Sequence, residues 1–123
     1  MKTILISGGD GKFSRALIET NTKYKILAPN KKKMNILSQK SISNFISKHK
    51  VDYFIHAAAF STPMALHKIE KKRSIETNII GSSNVALSCL KKNIKLIYIS
   101  TNFVYPGNKG NHSEKDCLLP VNE

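Results

Sequence analysis

The sequence predicts an α/β fold in which a parallel sheet carries helices on both faces, and three observations support it. Apolar runs of strand length alternate along the chain with segments of helical period. The first run, residues 2 to 7, is too continuously apolar to alternate and suits a central strand covered on both sides. That run leads straight into Gly8-Gly9-Asp10-Gly11, a turn that opens a helical pattern.

Three glycines within four positions let the backbone turn sharply and come close to a pyrophosphate, while the first amides of the next helix aim their donors at the anion. Gly9-x-Gly11-x-x-Ser14 and Gly8-x-x-Gly11-x-x-Ser14 both fit a dinucleotide fingerprint with a small last residue, and the spacing does not choose between them. A plain glycine turn stays open as the rival reading. Gly8, Gly9, Asp10, Gly11, Lys12 and Phe13 are the candidate cofactor contacts here, and Phe13, Ala16 and Leu17 form the expected inner face of a helix closed near Asn21.

Tyr24 to Ala28 reads as the second strand, halted by Pro29-Asn30 and followed by Lys31-Lys32-Lys33. In a dinucleotide fold an acidic side chain near this strand end receives the ribose hydroxyls, while a basic one tolerates a 2'-phosphate. No Asp or Glu lies between Glu19 and Asp52, so the lysine run tilts the choice towards NADP over NAD, with Asn30 and Lys31 as candidate cofactor contacts. A solvated lysine loop remains the competing reading.

Met34 to Leu37 could add an edge strand, and Ser41 to His49 has Ile42, Phe45 and Ile46 at helical spacing. Val51 to His56 reads as a buried strand ending in Ala57-Ala58-Ala59, whose small side chains would let a ligand lie against the carboxyl end of the sheet. His56, alone at the end of an apolar strand, reads as a packed core residue. Phe60 to His67 is a loop or short helix, and Ile69 to Lys92 a long helix. Gly81 in its middle implies close packing against another element or a ligand. Asn93 to Ser100 is the last strand, running into Thr101-Asn102-Phe103, and from Asn108 onward the chain is polar and loop-like. Right-handed crossovers would align Gly8 to Gly11, Ala57 to Phe60 and Ser100 to Asn102 along one sheet edge.

The 123 residues and 41% hydrophobic content fit one domain with a modest core. No run reaches bilayer length and no secretory leader pattern opens the chain, so a cytoplasmic protein without a membrane partner is expected. Cys89 and Cys117 lack metal-ligand spacing and read as reduced thiols. The formal charge of +12 invites a nucleic-acid partner, but the basic residues are scattered and only Arg15 and Arg73 are arginine, which disfavours that partner.

These stretches resemble the extended short-chain dehydrogenase/reductase family, in its sugar-nucleotide branch typified by dTDP-4-dehydrorhamnose reductases and related epimerases. Ser7 to Ser14 resembles the nucleotide turn, with Ser14 in place of the usual third glycine. His56-Ala57-Ala58-Ala59-Phe60 looks like the N-A-A-A/Y segment along the cofactor, and Thr77 to Val85 is similar to the N-x-x-G-T-x-N-V helix that brings Asn78 into the candidate set. Tyr98 to Gly107 resembles the S-T-D-Y-V-F-x-G signature, with Asn102 in place of Asp. Glu114-Lys115-Asp116 and Pro120 resemble the segment before the family's catalytic tyrosine.

The resemblance implies a Rossmann-type sheet incomplete at its C-terminal side, with residues 1 to 123 as the N-terminal part of an NAD(P)-binding domain and the substrate-binding region absent. It implies a nucleotide-linked sugar as substrate, Ser100 beside the cofactor, Thr101 as the catalytic hydroxyl that orients the substrate oxygen, and no metal. It leaves a homo-oligomer open. The family's Y-x-x-x-K pair would begin immediately after Glu123, so the expected activity is dinucleotide binding without turnover, with a non-catalytic regulatory protein as the alternative. Tyr105-x-x-x-Lys109 matches in spacing, but Pro106-Gly107 denies it a helix.

Overall fold

The computed structural model describes residues 1–61, 63–107 and 110–120. Four strands, β1 (Thr3–Ser7), β2 (Lys25–Leu27), β3 (Tyr53–His56) and β4 (Lys95–Tyr98), form one parallel sheet in the order β2-β1-β3-β4. Between them lie α1 (Lys12–Thr20), α2 (Gln39–Ser47), the short α3 (Met64–Ile69) and α4 (Lys71–Ile75), a π-helical turn over Glu76–Gly81, and α5 (Ser82–Lys91). A 3₁₀ turn over Asn102–Val104 follows β4. This is the expected Rossmann-type arrangement.

Every residue of β1 is buried, apolar Ile4 to Ile6 and the flanking Thr3 and Ser7 alike, as suits a central strand covered on both sides. The connection from β1 to β2 runs one way across the sheet and those from β2 to β3 and β3 to β4 run the other. Right-handed crossovers therefore put α1 on one face and α2 and α5 on the opposite one. Leu5, Ile42, Phe54, Val85 and Cys89 form the larger core under α2 and α5, while Ile4, Ile6 and Ile55 pack with Leu17 of α1 on the other side. Burial pushes the Cys89 thiol up to about 11, and both cysteines are free.

Three expectations are corrected. Met34 to Leu37 is not an edge strand: it is a turn segment whose Met34 and Ile36 plug the larger core, and Asn84 Nδ2 donates to the Ile36 carbonyl at 3.0 Å. The long helix from Ile69 to Lys92 is divided into α4, the π turn and α5, because hydrophobic spacing does not report which hydrogen-bond register a helix adopts. Phe13 and Ala16 do not form the inner face of α1. Ser14 is fully buried there and Leu17 half-buried, while Phe13 is 45% exposed. The close packing expected at Gly81 is present, since a Cβ on it would come within 2.6 Å of the Ile36 side chain.

At the far edge β4 is exposed along its whole length, with Ile97, Tyr98 and the following Ile99 each about half open to solvent.

Candidate functional site

The sheet order reverses between β1 and β3, and the carboxyl ends of those two strands mark the place where open α/β sheets receive ligands. The glycine turn sits there. Gly8 takes φ +80°, a left-handed value that glycine alone adopts without strain, and a Cβ on it would press within 3.1 Å of the Ala58 backbone. Gly9 crosses against the end of β2: its N–H donates to the Pro29 carbonyl at 3.3 Å, and a Cβ would meet the Ala28 carbonyl carbon at 2.6 Å. Gly11 N–H and Ser14 Oγ both donate to the Gly8 carbonyl, at 2.9 and 2.8 Å. The Gly8, Gly11 and Ser14 spacing is thus closed by direct bonds, while Gly9 serves the approach to β2.

No side chain caps the start of α1. Helix-opening amides without such a partner, at the positive end of the helix dipole, are suited to an anion. They face a cleft of about 740 Å³. Gly8 to Ser14 form its floor, Asn30, Lys31 and Met34 to Leu37 one wall, and Ala57 to Ser61 with Arg73 and Thr77 the other. The size and the small alanine wall fit an extended dinucleotide.

The cleft therefore gathers Gly8, Gly9, Asp10, Gly11, Lys12, Phe13, Asn30, Lys31, Ala57, Ala58 and Ala59. Asn78, Ser100 and Thr101 are not among its lining residues. Asn78 turns its carboxamide to the backbone of Phe60. Ser100 and Thr101 lie exposed beyond the carboxyl end of β4, where Thr101 Oγ1 accepts the Phe103 N–H at 3.2 Å. Tyr105 donates through its hydroxyl to the Ser113 carbonyl, and Lys109 lies outside the described residues, as does Glu123.

Sequence reasoning missed the Met34 to Leu37 wall, Ser61, Arg73 and Thr77, while Ser14 and Phe60, named in the glycine fingerprint and the alanine segment, do line the cleft. Arg73 lies over the Phe60 ring at 4.6 Å and pairs with Glu70 at 2.9 Å. Ser14, the last position of the fingerprint, is fully buried and closes the glycine turn. His56, set aside as a core residue, is buried, with Ser7 Oγ 2.6 Å from its Nδ1 and Ser82 Oγ 2.9 Å from its Nε2. Among the described residues no group of three or more His, Cys, Asp or Glu is placed to hold a metal, and no helix is long and apolar enough to cross a membrane.

Comparison with known proteins adds the decisive observation: the family model described as RmlD substrate binding domain matches residues 1–123. The chain belongs to the RmlD family. Among its relatives, a dTDP-4-dehydrorhamnose reductase of Aggregatibacter actinomycetemcomitans is 26% identical over 125 residues, covering 98% of this chain and 42% of that protein. The spore coat polysaccharide biosynthesis protein SpsK of Bacillus subtilis is 29% identical over 124 residues, covering 98% and 43%. Methionine adenosyltransferase 2 subunit beta of Rattus norvegicus is more distant, 22% identical over 130 residues, covering 98% and 39%. Among solved structures, the dTDP-4-dehydrorhamnose reductase of Bacillus anthracis in complex with NADP superposes with a TM-score of 0.92 at 26% identity, covering 99% of this chain and 45% of that one. The chain thus spans less than half the length of the RmlD-family relatives it matches.

Proposed function

We propose that these residues form the NADP-binding part of a nucleotide-sugar oxidoreductase, and that they bind the dinucleotide without turning over a sugar on their own. The observation that carries this reading is the meeting of Gly8 with Ala58 and of Gly9 with Ala28 and Pro29, which sets the uncapped start of α1 at the floor of one long cleft. The pyrophosphate would lie on the turn and the first amides of α1. The adenosine half would lie between the Met34 to Leu37 segment and the alanine wall. Lys31 beside Asn30 would receive a 2'-phosphate, and the NADP bound to the Bacillus anthracis relative supports that choice over NAD.

The reduced cofactor, NADPH, would supply the hydride in such chemistry and leave as NADP. Thr101, whose Oγ1 already accepts one backbone N–H, keeps its hydroxyl proton available for the substrate's reacting oxygen. The proton donor would come from a Tyr-x-x-x-Lys pair, a spacing that the 123 residues carry only at Tyr105 and Lys109, where Pro106-Gly107 interrupts it.

Isothermal titration with NADP and NAD tests the reading. Saturable binding, tighter for NADP, with no oxidation of NADPH in the presence of a dTDP-linked 4-keto sugar, is expected. Absence of binding to either dinucleotide overturns it, and turnover overturns the inactive part. A second reading, a non-catalytic dinucleotide-binding regulatory subunit, is favoured by the similarity to an adenosyltransferase subunit. It predicts the same binding together with a change in a partner enzyme's activity.

A further inference from the structure

Ser7, His56 and Tyr98 stand in one row across the sheet at its carboxyl edge, paired in register from β1 through β3 to β4. Within that row the imidazole is held at both nitrogens, by Ser7 of β1 and by Ser82 at the start of α5. Ser7 Oγ also accepts the Ala58 N–H, at 3.3 Å. One side chain therefore ties together the strand that feeds the glycine turn, the strand that feeds the alanine wall, and the crossover helix.

We propose that His56 is a positioning residue for the dinucleotide cleft, and that its neutral ring, acting through Ser7, holds the Gly8 turn and the Ala57–Ala59 wall at the spacing the ligand needs. It rests on the reading of the cleft as a dinucleotide site. The spacing in question is tight, because a Cβ on Gly8 would lie 3.1 Å from the Ala58 backbone, closer than such contacts ordinarily come. Any movement of Ala58 relative to Ser7 opens or closes the cleft floor against its wall.

The hydrogen-bond pattern assigns the tautomer. With the proton on Nε2, His56 donates to Ser82, and Ser7 donates to Nδ1 while accepting from Ala58. Protonation of Nδ1 reverses the Ser7 bond. The Ser7 hydroxyl would then accept twice, and its own proton would need a new acceptor in a site where Ser7 is 1% exposed. Burial holds the imidazole below its ordinary value of 6.5. Tyr98 is the titratable side chain facing the ring, at 5.6 Å between centroids, and the remaining neighbours that bond it are the neutral Ser7 and Ser82. A group with a depressed basic pKa contributes stability above its unfolded value, and that contribution is lost as pH falls towards the folded one.

The test follows the amide resonances of Gly8, Gly9 and Ala58 by ¹H–¹⁵N NMR in the ligand-free chain from about pH 7.5 down to about pH 5, beside the His56 ring. His56→Asn and His56→Gln supply two non-titrating variants. In the wild type the three amides should move with the ring's own midpoint, and in the variants that movement should vanish. A ring that titrates while these amides stay still, or amide shifts that persist in the variants, overturns the proposal. NADP affinity should fall about threefold more in the wild type than in the variants over the same range, a comparison that cancels titration of the cofactor's own phosphate. Equal losses overturn it. If NADP fails to bind even at about pH 7.5, the cleft reading falls, and the ligand-free amide shifts still decide the role of His56.

Discussion

Asn78 grips the backbone of Phe60 at both polar groups: the Phe60 N–H donates to Oδ1 at 2.8 Å, and Nδ2 donates back to the Phe60 carbonyl at 3.1 Å. The π turn over Glu76–Gly81 carries Asn78 to that position, and Phe60 itself is 5% exposed. Asn78→Ala should therefore leave two polar groups without partners and destabilise the chain by about 1 to 3 kcal/mol, read from the denaturant midpoint. Asn78→Asp keeps an acceptor for the N–H and loses the donor, so its effect should fall between. A midpoint unchanged by Asn78→Ala would show that Phe60 is held by its ring contacts with His67 and Arg73 instead.

The glycines separate strain from collision. Gly107 has φ +71° with open space where a Cβ would sit, so Gly107→Ala should cost only the left-handed penalty, about 1 kcal/mol. Gly8→Ala adds the Ala58 contact to the same strain and should cost more. Gly9→Ala carries no positive φ but meets the Ala28 carbonyl, so the end of β2 must shift. Both turn variants should lose NADP binding, measured by titration calorimetry, while Gly107→Ala keeps it.

Much of this was legible in the sequence because it depends on neighbours in the chain. The strand and helix alternation follows from local period, and the glycine turn from a local backbone need. Other features depend on distant partners. Met34 to Leu37 has three apolar residues around Asn35 that suit a strand or a core plug equally well, and only the packing of Gly81 and Asn84 against Ile36 decides. His56 carried no signal of its role because Ser7 and Ser82 lie 49 and 26 residues away. Asn78 entered the candidate set through a motif, and its side chain instead supports the cleft wall from behind.

Lys31 lines the cleft beside Asn30 and is exposed, and under the proposed reading its charge would meet the 2'-phosphate. Lys31→Glu should weaken NADP about tenfold and leave NAD unchanged or slightly tighter. The ratio of the two dissociation constants is the readout. An unchanged ratio would assign the 2'-phosphate to another group.

Asp52 sets the opposite end of the sheet. Its carboxylate accepts the Thr3 N–H at 2.8 Å and the Lys2 ammonium at 2.9 Å, and these bonds, the Thr3 one foremost, hold it below its ordinary value of 3.8. An acid with a depressed pKa contributes stability above its unfolded value and loses it as pH falls through the folded one. Stability in the wild type should therefore decline below about pH 4, and Asp52→Asn should flatten that decline in urea titrations.

Strand β4 places Ile97 opposite Ile55, on the face where Ile4 and Ile6 pack with α1. Ile55 is 7% exposed and Ile97 is 45% exposed, so apolar cover on this face ends at the last strand. The outer side of β4 has no further strand among the described residues, and an uncovered apolar edge of this kind recruits other chains. The 123-residue chain is accordingly expected to associate as its concentration rises. Ile97→Lys introduces a charge on that edge at a position that is already half in water, so it should reduce association while shifting the unfolding midpoint by no more than about 0.5 kcal/mol. Light scattering against concentration measures the first effect and urea denaturation the second. Association that is unchanged by the lysine would place the contact elsewhere, on the exposed Ile79, Leu87 and Leu90 of the π turn and α5.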